Sequence, residues 1–265
     1  MGRKSHARRL ARALVVYTKN MNRPLALLAA MTTLAVCARA QTAGRFDDYV
    51  LALSWEPTFC SSHMSKPECS SETPDRFDAT HLALHGLWPD RNNDPSHSYG
   101  YCGVDSTTQS EGDSGQWCSM PPTGMSPSTQ SALAQVMPGT QSCLQRHEWY
   151  KHGTCSGLSA DDYFSDVVAL VQAVDSSAFG QFLTAHAGGT VNAQDVLSAF
   201  ESAYGSGSSA DVSLSCSRVN GQSALSEVTL RLSPQPPSAG ALAQELLPAT
   251  SSGNCPGRFQ LPGVQ

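Results

Sequence analysis

"HEWYKHGTC", residues 147–155, gathers two histidines, a glutamate and a lysine within six positions, then adds a glycine and a cysteine. Wound as an α-helix at about 100° per residue, His147, Lys151, Glu148 and His152 share an arc of about 140°. Trp149 and Tyr150 fall outside that arc. The pattern therefore predicts a helix over 145–153 with aromatics toward the core and ionisable groups facing a cleft. Taken alone, the segment fits a charged solvent face with two incidental histidines equally well.

Strands surround it in the sequence. In "HLALHGLWP", 81–89, Leu82 and Leu84 alternate with His81, Ala83 and His85, and Gly86 and Pro89 are expected to end the run. "FDDYVLALSW", 46–55, puts Tyr49, Leu51, Leu53 and Trp55 on one face and Val50, Ala52 and Ser54 on the other. Two alternating runs around Asn220-Gly221 predict a hairpin late in the chain. Helical spacing marks 128–137, 160–174 after a Ser159 cap, 177–186, and 192–204 before Gly205. Strands and helices without regular alternation give one α+β domain. From Asp90 to about Pro127 the polar composition predicts a long loop. Its Tyr99, Tyr101 and Trp117 suit stacking on a ligand or plain packing of the loop.

The first forty residues are set apart. Arg23, the apolar run Pro24 to Cys37 and Ala38-Arg39-Ala40 read as a secretory signal peptide cut before Gln41, with Met1 and Met21 both open as starts. No membrane insertion is expected once residues 1–40 are removed, and 41–265 form the folded domain. The leader holds eight of the seventeen lysines and arginines and none of the twenty-two acids, which leaves a formal charge near −13. So acidic a chain is ill-suited to coating polyanions, and any polyanion it handles needs a local cluster of cations. Without Cys37, eight cysteines remain, an even number that suggests four disulfides in an oxidising compartment. Counting alone leaves roughly a hundred connectivities open.

"HLALHGLWPD" and "HEWYKHGTC" resemble the two active-site motifs of the ribonuclease T2 family, and their order, their separation and the strand "YVLALSW" agree with it. The resemblance is strongest over 46–90 and 143–156. It implies a single α+β domain with a central, largely antiparallel sheet, flanked by helices and long disulfide-stapled loops. It also implies an exported endoribonuclease, periplasmic or secreted, that cuts single-stranded RNA through a 2′,3′-cyclic phosphate to 3′-phosphate ends. No cofactor or metal is implied. DNA, lacking the 2′-hydroxyl, should be inert, and a monomer is expected.

Carried over residue by residue, the resemblance makes His152 the general base and His85 the general acid. His147 binds the scissile phosphate in protonated form, Glu148 and Lys151 stabilise the phosphorane, and Trp88 and Asp90 match base-binding positions. The same resemblance pairs Cys102 with Cys155 and Cys216 with Cys255. Cys60–Cys69 and Cys118–Cys143 are the expected remaining pairs, with other pairings of these four open. The chemistry agrees with these roles, because imidazoles with an ordinary pKa of ~6.5 can give and take protons near neutrality.

Two rivals are weighed. A zinc hydrolase would use His81, His85, His147 or Glu148, but His147 and His152 are five apart, where a helix wants ligands four apart. A non-catalytic RNA-binding protein on the same scaffold predicts loss of His85 or His152, and both are present. His63, His97 and His186 are assigned to surface or packing, whereas His81 shares a strand face with His85 and is a weaker candidate for the site.

Overall fold

Tyr49, Leu51, Leu53 and Trp55 are all buried in one apolar core, as their alternation predicts. The structure is a computed structural model that describes residues 41–92 and 99–264, so the expected leader and His97 lie outside the described residues. Strand β1 (Asp48–Ser54) lies between β2 (Ala83–Asp90) and β5 (Gln222–Leu232). The sheet continues through β7 (Arg258–Gln260) to β3 (Thr190–Asn192), and β4 (Val212–Val219) and β6 (Leu246–Leu247) also pair with β5. Pairing between these strands is antiparallel except for Ala224 with Gln260, between β5 and β7, and an isolated parallel bridge joins Leu214 to Gly253.

The hairpin forms where predicted. Asn220 (φ 49°) and Gly221 (φ 81°) both take positive φ, the requirement of the tight turn whose twist matches its strands. Buried Asp48 accepts from Arg231 Nε at 2.8 Å, which ties β1 to β5 at one end. Strand β2 does not stop at Gly86 or Pro89. It is an edge strand, so the missing N–H of Pro89 costs the ladder nothing.

Helices α1 (Glu56–Cys60), α2 (Pro67–Ser70), α3 (Ser106–Asp113) and α4 (Pro127–Val136) come first. They are followed by α5 (Leu144–Lys151), α6 (Ala160–Ser176), α7 (Ala178–Ala185), α8 (Ala193–Tyr204) and α9 (Leu242–Glu245). Ser159 caps α6 by accepting from Asp162 N. Tyr163, Phe164, Val167, Leu170 and Val171 of α6 enter the core shared with β1. Tyr163 Oη also donates to the carbonyl of Leu87, so α6 grips β2 directly. Among the described residues no single helix is long and apolar enough to cross a membrane.

The polar stretch 90–127 is not one loop. It contains α3, capped by Asp105, whose side chain accepts from the backbone of Thr107 and Thr108. That helix is polar on most of its surface, so it leaves no apolar period in the sequence. All four expected disulfides form: Cys60–Cys69, Cys102–Cys155, Cys118–Cys143 and Cys216–Cys255.

Asp175 of α6 is buried, and its Oδ1 accepts from Leu82 N at 3.2 Å while Oδ2 has no partner. Burial pushes this carboxyl up to about 7. Because the folded pKa lies above the unfolded value of about 3.9, the native state holds the proton more tightly. The stability it lends is therefore complete below about pH 4 and lost as pH rises through 7. Asp175→Asn keeps the acceptor and removes the buried charge. Thermal unfolding should show the variant level with wild type near pH 4 and more stable at pH 8, each kcal/mol appearing as about 2–4 °C. An equal Tm difference at both pH values contradicts this reading.

Candidate active site

Strand β2 carries an extra residue. Ala52 pairs with Gly86 and Leu53 with Leu84, which leaves His85 unpaired in a bulge. Leu84 and Leu87 can then both keep the core face, while His85 and Gly86 come to the opposite face in succession. Trp88 follows on that face. Gly86 is required there, because a Cβ would collide with the carboxylate of Glu148 and with Trp88 Nε1.

Helix α5 is held at both ends. Cys143, which precedes it in the left-handed conformation (φ 65°), is bonded to Cys118. At the other end Tyr101 N donates to the carbonyl of Lys151 at 2.8 Å, beside the Cys102–Cys155 bridge. The helix stops at Lys151, and His152 (φ −116°, ψ −54°) turns out of it. Trp149 packs against the core as predicted. Tyr150 does not: it is only half-buried, and its hydroxyl donates to the carbonyl of Pro122.

These two segments meet. His85, Trp88, His147, Glu148, Lys151 and His152 line one cleft of about 300 Å³, with Trp117 and Leu144 completing its wall. The Trp88 ring lies 5.1 Å from that of His85 and 5.4 Å from that of His152. Its Nε1 donates to Glu148 Oε2 at 2.7 Å, fixing a carboxylate that is itself buried. Trp117 stacks on His147 at 4.9 Å and donates to the carbonyl of Gly112, so its role is to pack the wall of the site. Tyr99 is buried against the backbone of Thr42 and Cys155, and Tyr101 donates to Asp113. A second cleft of about 260 Å³ adjoins the first and shares His85, Trp117 and Leu144 with it.

The environment divides the three histidines. Burial pulls His85 down, but the hydrogen bond from its Nδ1 to Glu227 Oε2 (2.8 Å) and the charges of Glu148, Glu227 and Glu56 outweigh it, so its pKa is raised. Burial, Lys151, His147 and His85 hold His152 well below the ordinary value. Burial, Lys151 and His85 lower His147 to about 4. Consistently, the Nδ1 atoms of His147 and His152 are buried with no hydrogen-bond partner, a poor setting for an imidazolium. Burial raises Glu148 against the opposing pull of His85, Trp88 and Lys151.

Several expectations need correction. His147 is biased toward its neutral form, because partial burial of its ring and then the nearby Lys151 lower its pKa to about 4, so Lys151 is the cation of the cleft on that side. Asp90 pairs with Asp48 at the far end of β2 and does not line the cleft. His81 is bonded through Nδ1 to the carbonyl of Phe77 and stacks on that ring, away from the site. The spacing objection to a metal also weakens. Since His152 leaves the helix, ligand atoms of His147, Glu148 and His152 lie within 4.8 Å of one another and could hold a divalent cation. Among the described residues Glu56 with Cys60 and Cys69 forms the other such group, but its cysteines are oxidised.

Glu227 is the functional neighbour that sequence reading missed. It lies on β5 opposite Ser54, on the face away from Val228 and Leu230. Its only sequence signal is an acid in a strand whose alternate residues are apolar.

A family model described as the ribonuclease T2 family matches residues 46–240. The chain is 34% identical to Ribonuclease I of Escherichia coli strain K12 over 237 residues, covering 83% of this chain and 88% of that protein. Among solved structures it is similar to ribonuclease MC1 from bitter gourd seeds (TM-score 0.50, 21% identity, 81% of this chain and 100% of that one). It is also similar to RNase NT, solved in complex with 5′-AMP (TM-score 0.52, 19% identity, 82% of this chain and 98% of that one).

The glycine requirement is testable. Gly86→Ala should dislodge the Trp88–Glu148 hydrogen bond and lower RNA cleavage about 10²-fold, the cost of an ångström-scale misplacement. Altered tryptophan fluorescence should accompany it. Unchanged activity and emission would mean that the packing at Gly86 does not hold the site.

Proposed function

The chain belongs to the ribonuclease T2 family and is an endoribonuclease; from that premise we propose that it cleaves single-stranded RNA by transesterification, with the paired histidines His85 and His152 moving the protons. One observation carries the reading. The two rings face a single cleft across Trp88, one biased toward its protonated form and the other toward its neutral form.

Neutral His152 accepts the proton of the ribose 2′-hydroxyl as that oxygen attacks phosphorus. Protonated His85 donates to the 5′-oxygen as it leaves. The product is a 2′,3′-cyclic phosphate that water opens to a 3′-phosphate. Lys151 offers positive charge, and neutral His147 a hydrogen bond, to the phosphoryl oxygens, where negative charge accumulates. Glu148, fixed by Trp88, braces the same region. Trp88, which lines the cleft, offers its ring to a base. The neighbouring cleft, which His85 also lines, suits the leaving-group side of the substrate.

Because the nucleophile belongs to the substrate, the chemistry needs neither a protein nucleophile nor a cofactor. DNA lacks that hydroxyl and should not be cut. Duplex RNA resists the in-line geometry, so single strands are the substrate. The four disulfides support an exported protein, in the periplasm or outside the cell. On this reading residues 1–40 are removed and the protein works as a monomer.

His85→Ala and His152→Ala should each lower turnover of single-stranded RNA by about 10²- to 10⁴-fold, the usual worth of a proton-transfer group. Wild-type rates in either variant would reject the roles. The pH profile follows from the same biases. Activity requires neutral His152 and charged His85, so the acid limb of kcat/KM should have its midpoint below 6.5 and the alkaline limb above 6.5, with a plateau across 6.5. A narrow peak with both limbs at the ordinary histidine value contradicts the assignment.

The convergence of His147, Glu148 and His152 favours one second reading, a zinc-dependent hydrolase. Full activity in EDTA, with cyclic phosphate ends among the products, supports transesterification. Activity lost in EDTA and restored by zinc supports the metal.

A further inference from the structure

His85 and Glu227 belong to strands that do not touch. Between β2 and β5 runs β1, where Glu227 lies opposite Ser54 and the His85 bulge falls between the partners of Ala52 and Leu53. Side chains from the outer strands can meet above β1 only if its residues on that face are small, and Ala52 and Ser54 are. The bulge supplies the second condition by turning His85 to that face. His85 Nδ1 then lies 2.8 Å from Glu227 Oε2. A carboxylate only accepts, so Nδ1 carries the hydrogen and Nε2 is left to serve the substrate.

We propose that Glu227 is a positioning residue for the general acid: by gripping Nδ1 across β1 it aims His85 Nε2–H at the leaving 5′-oxygen and keeps that proton in place until it is needed. The inference rests on the transesterification reading. In that step the bond from the 2′-oxygen to phosphorus forms, the bond from phosphorus to the 5′-oxygen breaks, and the proton on His85 Nε2 moves to the departing oxygen.

Other charges face His85. Glu148, His147, Lys151 and His152 approach from α5 and its end, Glu56 from α1, and His63, Lys66 and Glu68 line the neighbouring cleft. Among the described residues only Glu227 hydrogen-bonds its ring. Glu148 is already engaged by Trp88, so it cannot take over the grip in its present position. Glu227 also offsets the burial of His85, the chief influence pulling its pKa down.

The test compares leaving groups in the full, oxidised chain. An RNA dinucleotide releases an alkoxide, which must be protonated as it departs. A nucleoside 3′-(4-nitrophenyl) phosphate releases a phenolate that is stable without a proton. Glu227→Gln keeps the size and removes the charge. It should lower kcat/KM on the dinucleotide about 10²-fold, within the range a general acid contributes, while its loss on the aryl ester is at least about tenfold smaller.

The alkaline limb of the dinucleotide profile should also move to lower pH. The sign follows from the charge: without Glu227 the imidazolium gives up its proton more readily. Glu227→Asp, which restores the charge, should return that limb toward its original position.

Equal losses on both substrates would mean a structural role and overturn the proposal, as would wild-type behaviour of Glu227→Gln on the dinucleotide. His85→Ala, run alongside, separates the two levels. If it shows the leaving-group difference and Glu227→Gln does not, only the positioning role fails. If His85→Ala itself cleaves the dinucleotide at the wild-type rate, the transesterification reading fails and this inference with it.

Discussion

An antiparallel ladder that gains one residue on one strand must place that residue outside the pairing, and here the residue is His85. The core demands it. Leu84 pairs with Leu53 and Leu87 with Leu51, and all four side chains are buried. With unbroken alternation, Leu84 and Leu87, three apart, would point to opposite faces. The bulge satisfies both leucines and delivers a histidine and a glycine in succession to the other face. The glycine then admits the Trp88–Glu148 pair. Packing on one side of β2 thus determines the chemistry available on the other.

Helix α5 answers from across the cleft. It lacks a side-chain cap at its start, and two disulfides and the Tyr101 N–H hold it instead. The long connection before it is therefore part of the active-site frame. This bracing matters for a site whose central carboxylate is buried beneath an indole and whose helix ends at the residue before a proposed base.

Much of this was legible in the sequence, for identifiable reasons. The face of β1, the Asn220-Gly221 turn and helices α6 and α8 have periods or turn residues that local geometry imposes. The motifs around His85 and His152 carried the family resemblance, and with it the Cys102–Cys155 and Cys216–Cys255 pairs. What was hidden depends on register or depth. The bulge cannot be read from "HLALHGLWP" alone, since it exists only against β1. Glu227 meets a partner 142 residues away. Helix α3 has no apolar stripe. The neutrality of His147 follows from burial beside Lys151, which a helical wheel does not report. Asp90 was expected at a base-binding position from the family resemblance, yet two residues beyond Trp88 the extended strand carries it along the sheet and out of the cleft.

The central claim is that one fold gives two imidazoles opposite proton preferences within a single cleft. Long-range ¹H–¹⁵N NMR of the histidine rings, titrated in the oxidised protein and assigned with single-histidine variants, tests it without any substrate. The account predicts that His85 titrates above 6.5 with its hydrogen on Nδ1 when neutral, and that His152 stays neutral far into the acid range. Titration of both rings at the ordinary value, or in the reverse order, would contradict it.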